Sequence, residues 1–190
     1  MLYIDKRIKI NKSDSNNIYY YAVENIPKYS IILIERPYKI YKSINNIFQN
    51  IKNDLIKYNL CNQFNNLFPR NIGKNKNYYE QKIIKNAFNF DRKNYRNPCI
   101  LFYGTLFNHS CNPNILFINH NDYMVFYTIY NITKGEQLFI HYIDVNLPLN
   151  TRQKLLQQYG FICTCDKCIN NDNSKINYND HHNNIIKKIE

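Results

Sequence analysis

The chain has 190 residues, 44% of them apolar and 15% aromatic, enough to bury one core, so a single domain is expected. Its formal charge of +11 suits an anionic partner, but the Lys and Arg residues are scattered rather than gathered into one stripe, and no motif indicates nucleic-acid binding. No run reaches the roughly 20 apolar residues of a spanning helix, and MLYIDKRIKI lacks the uninterrupted apolar stretch of a secretory signal, so the expectation is no membrane and an intracellular place, nucleus or cytoplasm.

In chain order, IYYYAV (18–23) and IILIE (31–35) read as β-rich runs parted by the turn-like NIPKYS and stopped by Pro37, a hairpin or corner. From Ser43 to Asn89 the apolar spacing turns helical, at Ile44, Ile47, Phe48, Ile51, Leu55 and Ile56 and again at Ile83, Ile84, Ala87 and Phe88; this predicts a helical insert. After Pro98 the β signal returns in CILFYG, NILFI, DYMVFYTIY and EQLFIHYI, divided by NHSCNPN, NHND and NITKGE. TRQKLLQQYGF is amphipathic and runs into a cysteine cluster, and residues 169–190 read as a polar, mobile tail.

Six cysteines in a reducing compartment argue against a disulfide framework. Cys163, Cys165 and Cys168 form CxCxxC, too tight for three unrelated core residues and one ligand short of the four that structural zinc takes. The fourth ligand has several candidates: Cys61, Cys99 and Cys111, or His109, His181 and His182. Cys111 stands out among them because NHSCNP is a polar turn able to approach another backbone. Cys61 and Cys99, with apolar neighbours, are expected to be structural.

NHSCNPN (108–114), KGEQLFIHY (134–142) and RQKLLQQYGFICTCDKC (152–168) resemble, in order and spacing, the motifs of SET-domain methyltransferases, and above all their SMYD-type branch. AVENIPKYSIILIERPY (22–38) resembles that family's opening hairpin, and NAF (86–88) its Asn-bearing motif at the end of the insert. The resemblance spans residues 16 to 168, with no MYND module in the insert and no long helical domain after it. It implies a mainly β fold with α: small β-sheets, a C-terminal pseudoknot, a helical insert at about 43–89 and a zinc-binding post-SET segment at about 152–168. The SET domain would then occupy residues 1–168, with Cys111 sharing one Zn2+ with Cys163, Cys165 and Cys168.

The same resemblance implies S-adenosylmethionine as cofactor and a histone tail or other lysine-bearing protein as substrate. Methylating a lysine requires a neutral amine, although its free pKa is near 10.4, aligned with the S–CH3 bond at about 3 Å in a narrow, dry channel. Tyr142 takes the catalytic place. Asn108, His109 and Asn86 take polar contacts with the cofactor, partly through backbone atoms, and Tyr159 and Phe161 pack along its adenine. Where the family carries GxG, this chain has Asn17, Ile18 and Tyr19. Asn17 tolerates a positive φ and keeps the turn, whereas Tyr19 brings a bulky side chain for which positive φ is costly. That substitution motivates a second expectation, a catalytically weak or inactive SET-fold module that binds chromatin or another protein.

Overall fold

A computed structural model describes residues 2–13, 17–69, 77–92 and 95–189. The chain divides into two compact units: residues 1–34, 106–118 and 125–190 form the first, residues 35–105 and 119–124 the second. Residues 70–76 of the expected insert lie outside the described residues.

The first unit holds most of the residues of a sheet formed by β1 (Leu2–Ile4), β4 (Ile31–Glu35), β9 (Tyr123–Thr128) and β8 (Ile115–His120), hydrogen-bonded in the order β1-β4-β9-β8. A separate hairpin pairs β2 (Ile8–Lys12) with β3 (Ile18–Ala22), from Ile8↔Ala22 to Lys12↔Ile18. The runs read as IYYYAV and IILIE thus belong to different sheets, so NIPKYS makes a corner rather than a hairpin. β3 finds its partner in the N-terminal β2, whose apolar alternation is limited to Ile8 and Ile10. Tyr19 lies inside β3 opposite Asn11, in extended backbone, and positive φ among the described non-glycine residues falls at Tyr29, Asn59, Asn121 and Asn171. The strain expected at Tyr19 is therefore absent.

Two short strands, β7 (Asn108–His109) and β10 (Phe139–Ile140), pair in parallel, Asn108 with Phe139 and His109 with Ile140. Ser110 N–H adds a bond to Ile140 O at 3.0 Å. Beyond them come α4 (Leu149–Leu156), a 3-10 turn at Gln157–Tyr159 and the short α5 (Asp166–Ile169). Gly160, at φ 83°, makes the left-handed reversal that ends the 3-10 turn and feeds Phe161 toward the cysteines.

The expected polar tail contains α6 (Tyr178–Ile189), a correction to the mobile reading. Ile185 is fully buried with Leu116, Val125, Tyr127 and Ile129, and Ile186 and Ile189 pack against the same cluster. Three isoleucines among Asn, Asp, His and Lys suffice to seat one helix face, a pattern too sparse to stand out in a segment of low mean hydropathy.

In the second unit α1 (Ile44–Lys57) starts where Ser43 accepts Asn46 N–H, followed by α2 (Cys61–Asn65) and α3 (Tyr78–Asn86). Ile47, Ile51, Leu55, Phe64, Leu67 and Ile83 share one core. The helical insert is thus present, but it ends at Asn86: Ala87 is already extended, and β5 (Ala87–Arg92) pairs with β6 (Tyr95–Ile100). Ala87 and Phe88 continue the helical spacing only by coincidence.

Candidate active site and metal centre

Gln153 on α4 clasps the backbone of Cys163 from both sides: its Nε2 donates to Cys163 O at 2.8 Å and its Oε1 accepts Cys163 N–H at 3.0 Å. Cys165 precedes α5, and Cys168 lies within it, its N–H donating to Cys165 O at 2.8 Å. These contacts fold CxCxxC into a hook that opens on Cys111. The four Sγ atoms lie within 4.8 Å of one another. Zinc–thiolate bonds of about 2.3 Å require Sγ atoms about 3.8 Å apart, so four thiols at this spacing could hold one tetrahedral ion, and Cys111 is the candidate fourth ligand that the fold brings to the other three. Cys61 is exposed and Cys99 is buried within the second unit, and neither belongs to the four-thiol group.

Crowding by the other thiols pushes the Cys111 thiol far above its ordinary range, while hydrogen bonds from Cys111 and Cys163 hold Cys165 well below it. A divalent cation held by these four cysteines would favour the thiolate form of each. Arg152 lies beside the cluster, fully buried, donating to Leu147 O at 2.6 Å and Asp172 O at 3.4 Å. A buried guanidinium is costly unless an anion lies close by; burial pushes the Cys168 thiol up while its hydrogen bond with Arg152 acts in the opposite direction, and a metal-bound thiolate there would be the counter-charge.

Tyr142 follows β10. Its hydroxyl donates to Phe107 O at 2.7 Å and its N–H donates to His109 Nδ1 at 3.0 Å. Around it the rings of His109 and Tyr159 stand at 5.2 and 5.1 Å, and Phe161 lies 5.9 Å from His109. The Phe107 ring is fully buried against Tyr20 at 4.5 Å and Phe126 at 5.2 Å, which fixes the carbonyl that Tyr142 meets. Phe107 O is a candidate site atom that residue types cannot reveal, because any residue there carries a carbonyl. Burial raises the Tyr159 hydroxyl above its ordinary value and pushes the His109 imidazolium down to about 4.

The other expected residues divide into two groups. Asn17 and Asn108 meet, Asn108 Nδ2 donating to Asn17 Oδ1 at 3.3 Å, on the exposed side of the loop. Tyr19 is half-buried, and its hydroxyl accepts from Asn11 Nδ2 at 2.9 Å. Asn86 belongs to the second unit, where its Nδ2 donates to the carbonyls of Phe68 and Lys82. His109 turns its ring not outward but toward Tyr142 and Cys111, with Nε2 3.3 Å from Cys111 Sγ.

Residue type alone also left His141 unmarked. Its ring stacks on Phe117 at 5.0 Å and meets Tyr178 of α6 at 5.3 Å, and burial pushes its pKa down to about 4.

The sequence matches the SET domain family over residues 18–143. A SET domain-containing protein of Acanthamoeba polyphaga mimivirus is 30% identical over 186 residues, covering 80% of this chain and 73% of that protein. A SET domain and MYND-type zinc finger protein of Schizosaccharomyces pombe is 45% identical over 69 residues, 36% of this chain and 14% of its own length. A histone-lysine N-methyltransferase of Arabidopsis thaliana is 39% identical over 71 residues, 35% of this chain and 15% of its own. This chain therefore spans most of the viral relative but only a small part of the other two. The match over two thirds of its length, together with the parallel pairing of Asn108–His109 against Phe139–Ile140 that closes the cysteine-bearing loop, shows that the chain belongs to the SET domain family.

Proposed function

We propose that the chain is an S-adenosylmethionine-dependent protein-lysine N-methyltransferase acting on a histone or another protein, in the nucleus or cytoplasm. One observation carries the reading: the Tyr142 hydroxyl and the Phe107 carbonyl converge at 2.7 Å, beside the loop that holds the cysteines. Two oxygens on rigid supports can hold an amine in line and make weak CH···O contacts with a methyl group.

S-adenosylmethionine, when bound, supplies the electrophilic sulfonium methyl. The residues at hand fit such a ligand: Tyr159 and Phe161 offer half-buried aromatic faces, and Asn17 and Asn108 bring two amides together at 3.3 Å. Tyr142 and Phe107 O orient the lysine nitrogen, and the aromatic surroundings lower its pKa by desolvation, so that the amine presents a lone pair. Cys111, Cys163, Cys165 and Cys168 would hold a structural zinc, which would link the segment of Tyr159 and Phe161 to the loop of Asn108 and Cys111.

The test is a transfer assay with isotope-labelled cofactor and lysine-bearing proteins, histones first, read by mass spectrometry. Label is expected on lysine side chains and none with Tyr142→Phe; an unchanged rate in that variant removes Tyr142 from the mechanism. A second reading, a SET-fold module binding chromatin or protein without catalysis, is favoured by Asn17, Ile18 and Tyr19 in place of GxG and by the occupation of the Asn108 amide by Asn17. The two readings separate on whether the cofactor binds.

A further inference from the structure

We propose that His109 is a strut joining the metal cluster to the main chain of Tyr142, so that metal occupancy sets where the tyrosine stands. Its importance for catalysis rests on the reading of Tyr142 given above; the strut itself does not.

The tautomer follows from geometry. An amide N–H donates only to a lone pair, so the bond from Tyr142 N–H to Nδ1 at 3.0 Å leaves Nδ1 unprotonated and places the ring proton on Nε2. Nε2 lies 3.3 Å from Cys111 Sγ, giving an N–H···S bond to a metal-ligating atom. The imidazole thus uses both nitrogens, one on each end of a line from cluster to tyrosine.

The ring has no room to choose other partners. His109 is 9% exposed and stands between the rings of Tyr142 at 5.2 Å and Phe161 at 5.9 Å. A histidine that merely fills space gives a different picture, and the same unit provides one: His141 stacks on Phe117 while its buried Nδ1 has no partner among the described residues. The backbone reinforces the assignment, because His109 pairs with Ile140 in the β7–β10 ladder and its side chain spans from there to Tyr142, two residues on. With a cation bound, Cys111 is a fixed thiolate that accepts the Nε2 proton; as a free thiol it has a proton of its own to place, and its position is no longer pinned. His109 is a positioning residue in this account, not one that touches the reacting atoms.

The experiment uses the full chain loaded with cobalt(II), whose thiolate charge-transfer absorption reports the electron density on sulfur. His109→Asn keeps an acceptor near the Nδ1 position and loses the donor, whereas His109→Gln keeps a donor near Nε2 and loses the acceptor. Both variants are expected to take up one equivalent of cobalt. The charge-transfer band should move to lower energy in His109→Asn and stay in place in His109→Gln. Hydrogen exchange at the Tyr142 amide should quicken by roughly fivefold in His109→Gln, the loss of one ordinary hydrogen bond, and remain slow in His109→Asn. An unmoved band in His109→Asn together with an unchanged Tyr142 amide in His109→Gln overturns the strut, as does a parent chain that takes up no cobalt. If one variant fails to fold, the other alone decides. Absence of methyl transfer with both signals as expected removes the methyltransferase reading and leaves the strut standing.

Discussion

Two regions of this chain bury cations and hold themselves together in opposite ways. In the second unit, Lys82 is fully buried and its Nζ donates to the carbonyls of Asn65, Leu67 and Pro69 at 2.5 to 3.0 Å. Around it runs an apolar core of nine buried residues with no metal ligand among them. Around Tyr142 the corresponding cluster has six buried residues, and three of them are the cysteines Cys111, Cys163 and Cys168. Arg152, its buried cation, faces thiols rather than carbonyls alone. The insert is held by apolar packing and backbone oxygens, whereas the site gathers four thiols where an apolar core would otherwise be. On the zinc reading proposed above, metal binding would supply folding energy that so small an apolar cluster does not.

The largest effect should come from breaking the metal side of the comparison. Cys165→Ser, or chelation of the parent chain, is expected to release zinc and to disorder the segment after Tyr142, because structural zinc contributes on the order of 10 kcal/mol in small sites. Amide exchange should rise at residues 159–168 and stay low in α1 and α3; a protein of normal stability and full zinc content after Cys165→Ser contradicts the account. Lys82→Met probes the other side. It should cost about 3 kcal/mol by leaving three carbonyls facing an apolar side chain, with zinc stoichiometry untouched, as denaturation and metal analysis would read.

Tyr142→Phe sharpens the comparison at lower energy. Loss of the bond to Phe107 O should lower stability by only about 1 kcal/mol, while methyl transfer disappears. A variant that keeps transfer shows that the hydroxyl has no part in it.

The smallest effect concerns acid. Burial first, then the charge of His182, depress the pKa of His141 from 6.5 to about 4, so below pH 6.5 the unfolded chain binds a proton that the folded chain refuses. Stability from this group is complete above pH 6.5 and declines as pH falls toward 4. Glu35, its carboxyl buried and raised from 4.5 to about 7 despite accepting the N–H groups of Phe102, Tyr103 and Gly104, acts with the opposite sign, lowering stability as pH rises from 4.5 to about 7. The comparison of His141→Phe with the parent isolates the first term: the variant should lose less stability between pH 6.5 and 4, and parallel curves would show that His141 does not titrate between the two states.

What the sequence discloses follows the same division. The cysteine hook is legible because thiol spacing is chemistry that chance composition does not imitate, and the helical insert is legible because Ile47, Ile51 and Leu55 keep a period. Three features are hidden for physical reasons. Strand β2 exposes four of its five residues and has only Ile8 and Ile10 as apolar positions, an alternation too short to stand out. Helix α6 relies on few apolar residues within a polar segment, and Phe107 acts through a backbone oxygen. His109 is a subtler case: the motif that brings it forward suggests a ligand of the cofactor, while its ring faces the metal centre and Tyr142. The missing GxG proves harmless to the backbone because Tyr19 is paired in an antiparallel ladder, which a residue-by-residue reading of φ preferences cannot foresee.

Calorimetric titration of the zinc-loaded chain with S-adenosylmethionine tests the central claim most directly, since every step proposed for Tyr142 and Phe107 O depends on that cofactor and none depends on knowing the substrate. The account predicts saturable binding at one ligand per chain, lost when zinc is chelated. A folded, zinc-replete protein that releases no heat and shows no binding would contradict it and favour the non-catalytic SET-fold reading.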